Sequence, residues 1–240
     1  MSNQYYFVDE ETVKAREIDC VAMKGTSSLE HYQKEDFKSL VSKGFQALRL
    51  VIECKKSTKP WLFYTTRPDM LSAFYIKYLG SIPENSTQVL ERSEKGLFPK
   101  DFLSSLHSYF LLKSTRLAQK YYEPFTEGKG RQIFDASMKV IKALRYDKQK
   151  LDRLITEMKP KNPLVIYYPI IVFEGNLYEL KIQKKKNRIS PIEYVQLDVN
   201  YVDQVYRIDV LVKSFFQKFI SYLDIEIAKL KDFLDKNLIN

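Results

Sequence analysis

The spacing of hydrophobic and polar positions changes character several times along the chain. Residues 5–8 read as a short strand, 9–15 as a polar turn, and 16–22 as a second strand. In that second strand Ile18, Cys20 and Ala22 fall on one face and Glu17, Asp19 and Val21 on the other. This two-residue period predicts a β-hairpin at the start of the chain. Residues 23–47 form a connection with a short helix over 34–43. Residues 48–56 then make a strand dense in Leu48, Leu50, Val51 and Ile52. Such a run predicts burial on both faces, near the middle of a sheet. Ser57-Thr58-Lys59-Pro60 is a turn, and 61–65 is extended again.

From residue 67 to about 127 the apolar positions recur at helical spacing: Met70, Phe74 and Tyr78, then Phe102, Leu106, Phe110 and Leu117. Pro83 and Pro99 break this helical insertion into pieces. Gly128-Lys129-Gly130 marks a boundary. A helix is predicted over 131–146, with Ile133, Phe134, Met138, Ile141 and Leu144 on its buried stripe, and a shorter helical piece over 148–158. Pro160 and Pro163 end it. Strands are predicted at 164–173, 177–182, 194–199 and 205–210, and a last helix at 213–236. Strands, helical insertion, helix, strands and helix give an α/β (α+β) domain on a mixed sheet. The chain divides into a first part of the core at 1–66, the insertion at 67–127 and a second part with the C-terminal helix at 128–240.

A formal charge of +9 favours partners that carry phosphates. Cys20 and Cys54 are too few for a disulfide framework, which fits a reducing, cytoplasmic setting. Residues 1–10 lack the pattern of a secretory signal, and no apolar run is long enough to span a bilayer, so no membrane partner is expected. The sequon Asn85-Ser86-Thr87 has no meaning outside a secreted context. The motifs of P-loop NTPases, dinucleotide enzymes and α/β-hydrolases are absent. His31 and His107 are far apart and give a zinc site little support.

The chemistry gathers at Glu53-Cys54-Lys55. On a strand Glu53 and Lys55 share a face while Cys54 points away. Asp19 lies on the preceding strand, and pairing of the two would set its carboxylate beside that of Glu53. Two carboxylates and a backbone carbonyl are hard oxygen donors suited to Mg²⁺ or Mn²⁺. The bland alternative is a solvated salt bridge on a strand edge. Glu17 stands either near this site or as a partner for Arg16 or Lys14. Gln132 stands either as a polar helper of the lysine and water or as an exposed helix residue. Lys184, Lys185, Lys186 and Arg188 either track a nucleic-acid backbone or form a solvated turn that protects a sheet edge. Lys113, Arg116 and Lys120 form a second basic stripe at helical spacing. Trp61, Tyr121, Tyr122 and Phe125 are either base-stacking residues or core.

Three segments carry a resemblance. Arg16-Glu17-Ile18-Asp19-Cys20-Val21-Ala22, Leu50-Val51-Ile52-Glu53-Cys54-Lys55-Lys56-Ser57 and Lys59-Pro60-Trp61-Leu62-Phe63 look like the core of the PD-(D/E)xK nuclease superfamily, the restriction-endonuclease-like proteins. The resemblance is strongest over residues 5–65. It implies a restriction-endonuclease-like core in which Asp19 and Glu53 bind Mg²⁺ or Mn²⁺, the Cys54 carbonyl adds a ligand and Lys55 serves the catalytic water. It further implies an endonuclease acting on DNA, in bacterial defence or restriction, and it allows a homodimer. The chain departs from the family pattern in starting directly in the first strand, without the usual opening helix. That departure motivates the alternative of a catalytically inactive module that keeps the fold and binds nucleic acid or a protein partner.

Overall fold

Two long strands with alternating buried faces organise the protein. The chain's structure, a computed structural model, describes residues 5–25, 46–66, 116–125, 131–158, 164–182, 187–202 and 204–238. β4 (Gln46–Lys56) and β7 (Leu164–Glu174) pair in parallel along their whole length, from Gln46 opposite Leu164 to Lys56 opposite Glu174. One face of the pair carries Ala47, Val51, Val165, Tyr167, Ile171 and Phe173, and the other Leu48, Leu50, Ile52, Ile166, Tyr168, Ile170 and Val172. All of these are buried, which explains the unbroken apolar run in the sequence.

Helix α1 (Gln132–Met158) covers the first face with Ile133, Ala136, Val140, Ala143 and Leu144. Helix α2 (Phe216–Leu238), entered through a 3-10 turn at Lys213–Phe215, covers the second with Phe219, Leu223 and Ile227. The remaining strands are β1 (Tyr5–Val8), β2 (Ala15–Ile18), β3 (Cys20–Gly25), β5 (Trp61–Thr66), β6 (Leu117–Tyr122), β8 (Leu177–Lys181), β9 (Arg188–Ile192), β10 (Tyr194–Tyr201) and β11 (Gln204–Val212). Among the described residues nine strands form one mixed sheet in the order β3-β4-β7-β11-β10-β6-β5-β8-β9, and β1–β2 is a separate hairpin that tucks Phe7 and Ile18 under α1. Among the described residues no helix is long and apolar enough to cross a membrane.

β4 runs on into β5 and β7 into β8, and these continuations pair with each other again in parallel. The chain bends between the two pairs, at residues 57–60 and 175–176. Trp61 stacks on Phe173 at this bend, with ring centroids 3.9 Å apart. Gly175 is required there by close approach: a Cβ on it would lie 2.5 Å from the Phe173 ring and 2.7 Å from the Ser57 carbonyl oxygen. Gly175→Ala is expected to cost about 1–3 kcal/mol by overpacking. An unchanged urea midpoint would show that the bend has room to spare.

Several sequence expectations are corrected. The strand expected over 16–22 is two strands in different sheets, broken at Asp19, because β2 leaves to pair with β1 while β3 pairs with β4. The two helical pieces over 131–158 are one helix of 27 residues. Asp147, at the gap between the two expected pieces, is a buried anchor. It accepts hydrogen bonds from Arg49 on β4, Tyr5 on β1 (2.9 Å) and Tyr167 on β7 (3.0 Å). Leu117–Tyr122, assigned to the helical insertion, is strand β6, whose Leu117 and Ala118 pair with Gln196 and Leu197 of β10. Too few apolar positions lie there to separate the two periods. Residues 67–115, the expected helix at 34–43 and Gly128-Lys129-Gly130 lie outside the described residues. β9 was not anticipated, since Pro191 interrupts its pattern.

Candidate functional site

The first pair of the β3–β4 ladder is Cys20 opposite Ile52. Asp19 thus stands one step beyond, opposite Glu53. Its carboxylate takes the place of the missing ladder bond: Oδ2 accepts a hydrogen bond from the Cys54 amide at 2.6 Å. The N–H and C=O of one strand residue face the same neighbour, so the Cys54 carbonyl lies on the Asp19 side as well. The β4 pleat sends Glu53 and Lys55 to the α1 face and leaves Cys54 exposed.

On that face the Glu53 side chain is 1% exposed, and Lys55 Nζ lies 2.6 Å from its Oε1. A second ammonium arrives from α1: Lys139 Nζ donates to Glu53 Oε1 at 3.0 Å. Oε2 lies 2.9 Å from the same nitrogen, yet it receives no directed hydrogen bond although it is buried. Burial raises the Glu53 carboxyl above the usual carboxylate range, against the opposing pull of Lys55 and Lys139. Burial likewise raises the thiols of Cys20 and Cys54, with the Asp19 charge adding to it. Glu53 is buried, so its pair with Lys55 is not a fully solvated bridge, although the β3 ladder has ended at Ile52.

Among the described residues no three or more His, Cys, Asp and Glu side chains gather as a metal cluster. The oxygen donors on offer are therefore the carboxylates of Asp19 and Glu53 and the Cys54 carbonyl. Their hardness suits Mg²⁺ or Mn²⁺; Glu53 Oε2 has no directed hydrogen bond, and an ion there would share it with the Lys139 ammonium 2.9 Å away. The residues fit such an ion in kind.

Beside this group a cleft of about 650 Å³ opens between α1, the β1–β2 hairpin and the β10–β11 turn. Lys139, Lys142 and Arg16 line it, with Asp9, Glu11 and Tyr201 among the facing residues. Lys142 is held by Asp9 at 3.2 Å and Glu11 at 2.6 Å, and Arg145 by Glu10 at 3.1 Å. Hydrogen bonds from Lys142 hold Asp9 and Glu11 below the usual carboxylate range; at Asp9 burial, the largest influence, opposes this.

Other expected site residues are placed elsewhere. Glu17 stands opposite Tyr6 in the β1–β2 hairpin, in a different sheet from Glu53. Gln132 is exposed at the first turn of α1, where its amide and that of Ile133 are capped by the buried carboxylate of Glu123. Arg188 is exposed at the start of β9, at the end of the sheet order opposite to β3, and Lys184, Lys185 and Lys186 lie outside the described residues. Trp61 is core, while Tyr122 and Phe125 are exposed, with Lys59 Nζ 5.9 Å from the Phe125 ring centroid. Arg116 pairs with buried Glu179 at 2.7 Å, so it does not belong to a free basic stripe. Lys139 was missed by the sequence reading. Its signal was a lysine three residues from Ala136 and four from Ala143, beside the apolar stripe of α1.

Comparison with protein-family models, curated proteins and solved structures returns no match for this chain.

Proposed function

We propose that this chain is a metal-dependent nuclease of the PD-(D/E)xK kind, with a restriction-endonuclease-like core, that hydrolyses phosphodiester bonds in DNA. The observation that carries the reading is the conjunction at the end of β4: the Asp19 carboxylate accepting a hydrogen bond from the Cys54 amide at 2.6 Å, and Lys55 Nζ 2.6 Å from the Glu53 carboxylate. Asp19, Glu53 and the Cys54 carbonyl would hold Mg²⁺ or Mn²⁺. The ion's chemistry there is to polarise a phosphate oxygen and stabilise the charge that develops on it. Lys55, fixed on the strand next to Glu53, orients the attacking water. Water oxygen bonds to phosphorus as the P–O ester bond breaks; the water gives up one proton to solvent and the departing oxygen takes one up from solvent, so that water is added across the ester. The Asp19–Cys54 hydrogen bond holds the carboxylate at the strand end, which limits its freedom before an ion arrives.

A second reading, a nuclease-fold module that binds nucleic acid without cutting it, is favoured by one observation: Glu53 is already matched by two ammonium groups. Cleavage of plasmid and single-stranded DNA with Mg²⁺ or Mn²⁺ separates the two. The nuclease reading expects cleavage that disappears with chelator and in Lys55→Ala. Folded protein that binds DNA with salt-dependent affinity and never cuts it would establish the second reading instead.

A further inference from the structure

Lys139 is distinct among the cations on the cleft side of α1. Lys142 is held by Asp9 and Glu11, and Arg145 by Glu10 and the Tyr206 hydroxyl. Both therefore serve to dock the hairpin turn onto the helix. Lys139 has no hairpin carboxylate; among the described residues its ion-pair partner is Glu53, which it shares with Lys55. One buried carboxylate between two ammonium groups leaves one positive charge in excess. Of the two lysines, Lys139 is the one that lines the cleft, on a side chain 30% exposed.

We infer that Lys139 is an exchangeable counter-ion: it neutralises Glu53 in the resting site, gives that carboxylate up when a metal ion binds there, and turns into the cleft to hold a phosphate of the substrate strand. This rests on the proposed metal site at Asp19 and Glu53. The physical ground is that a cation at Glu53 and the Lys139 ammonium compete for the same two oxygens, since like charges repel strongly where water is scarce. The lysine stem is long and flexible enough to move its charge without moving the helix. Its new partner must be anionic, and a phosphate is the anion that a phosphodiester substrate brings.

The inference predicts opposite signs for two bindings. In Lys139→Ala, Mn²⁺ measured by calorimetry binds more tightly, by about tenfold, because a competing cation is gone. A fluorescent phosphorothioate oligonucleotide, read by anisotropy, binds about fivefold more weakly in Mn²⁺. The slope of log affinity against log salt falls by about 1. In chelator that loss of DNA affinity vanishes, since wild-type Lys139 is then tied to Glu53. Lys139→Arg keeps the DNA affinity in Mn²⁺. Unchanged affinities, or metal and DNA binding that fall together in Lys139→Ala, would overturn the inference while Glu53-dependent Mn²⁺ binding left the nuclease reading standing. Mn²⁺ binding that is missing in wild type, or that persists in Glu53→Gln, would remove the metal site and this inference with it.

Discussion

If the chain is the nuclease proposed above, Glu53→Gln is expected to abolish cleavage, by at least about 10³-fold, and to leave the protein as stable as wild type or more so at neutral pH. A thousandfold corresponds to about 4 kcal/mol of barrier, within reach of a group that both holds an ion and fixes Lys55. The stability half follows from burial. Glu53 is 1% exposed and its folded-state pKa is raised, first by desolvation and only partly offset by Lys55 and Lys139. A carboxyl with a raised folded-state pKa favours the native state fully below its unfolded value, and that contribution is lost as pH rises through the folded value. At pH 7 the charged carboxylate thus weighs on the native state, and Gln removes the charge while keeping the shape. Lys55 and Lys139 lose a partner, but each is 30% exposed and reaches water. Denaturant midpoints at pH 7 and below pH 4.5, beside cleavage rates, check both halves. The gap between variant and wild type should narrow in acid. A variant that still cuts, or that loses more than about 2 kcal/mol at pH 7, is incompatible with a buried carboxylate retained for chemistry.

Asp147→Ala has the largest expected effect on folding. Three elements meet on this one carboxylate: β4 through Arg49, whose Nη2 donates at 2.7 Å, β1 through Tyr5, and β7 through Tyr167. Burial alone would lower the Arg49 pKa, yet Asp147 keeps it raised, and it raises Tyr5 and Tyr167 on top of their burial. Truncation leaves a guanidinium that is 20% exposed, the half-buried Tyr5 hydroxyl and the buried Tyr167 hydroxyl without their acceptor. Loss of one partner from a buried ion pair costs about 3–5 kcal/mol, which in a chain of this size lowers the melting temperature by roughly 6–20 °C. Replacing both partners, Arg49→Leu with Asp147→Leu, should recover part of the loss, because no buried charge is then left alone. A single variant that melts with wild type would mean that water reaches this network and that it does not tie α1 to the sheet.

Most of the elements were legible in the chain because their patterns are local. The apolar runs at 48–56 and 164–173 became the two strands buried on both faces, and the helix expected at 213–236 became α2, which buries Phe219, Leu223 and Ile227. What was misread sits where a residue answers to a distant partner. Asp147 looked like a gap between helices until Arg49, Tyr5 and Tyr167 were seen to surround it. The stretch 116–122 held too few apolar positions to separate a helix from β6, which exists through its pairing with β10 and β5.

The candidate site divides in the same way. That Glu53 and Lys55 share a strand face follows from the two-residue repeat of extended backbone, and the sequence alone determined it. That Asp19 stands opposite Glu53 but bonds to the Cys54 amide depended on where β2 leaves the main sheet. That Lys139, 86 residues away, meets Glu53 depended on how α1 lies across β4. Periodicity along a chain reports which side a residue takes within its own element. Which residue it meets there is decided by the packing of elements far apart in sequence, and only the tertiary structure contains that packing.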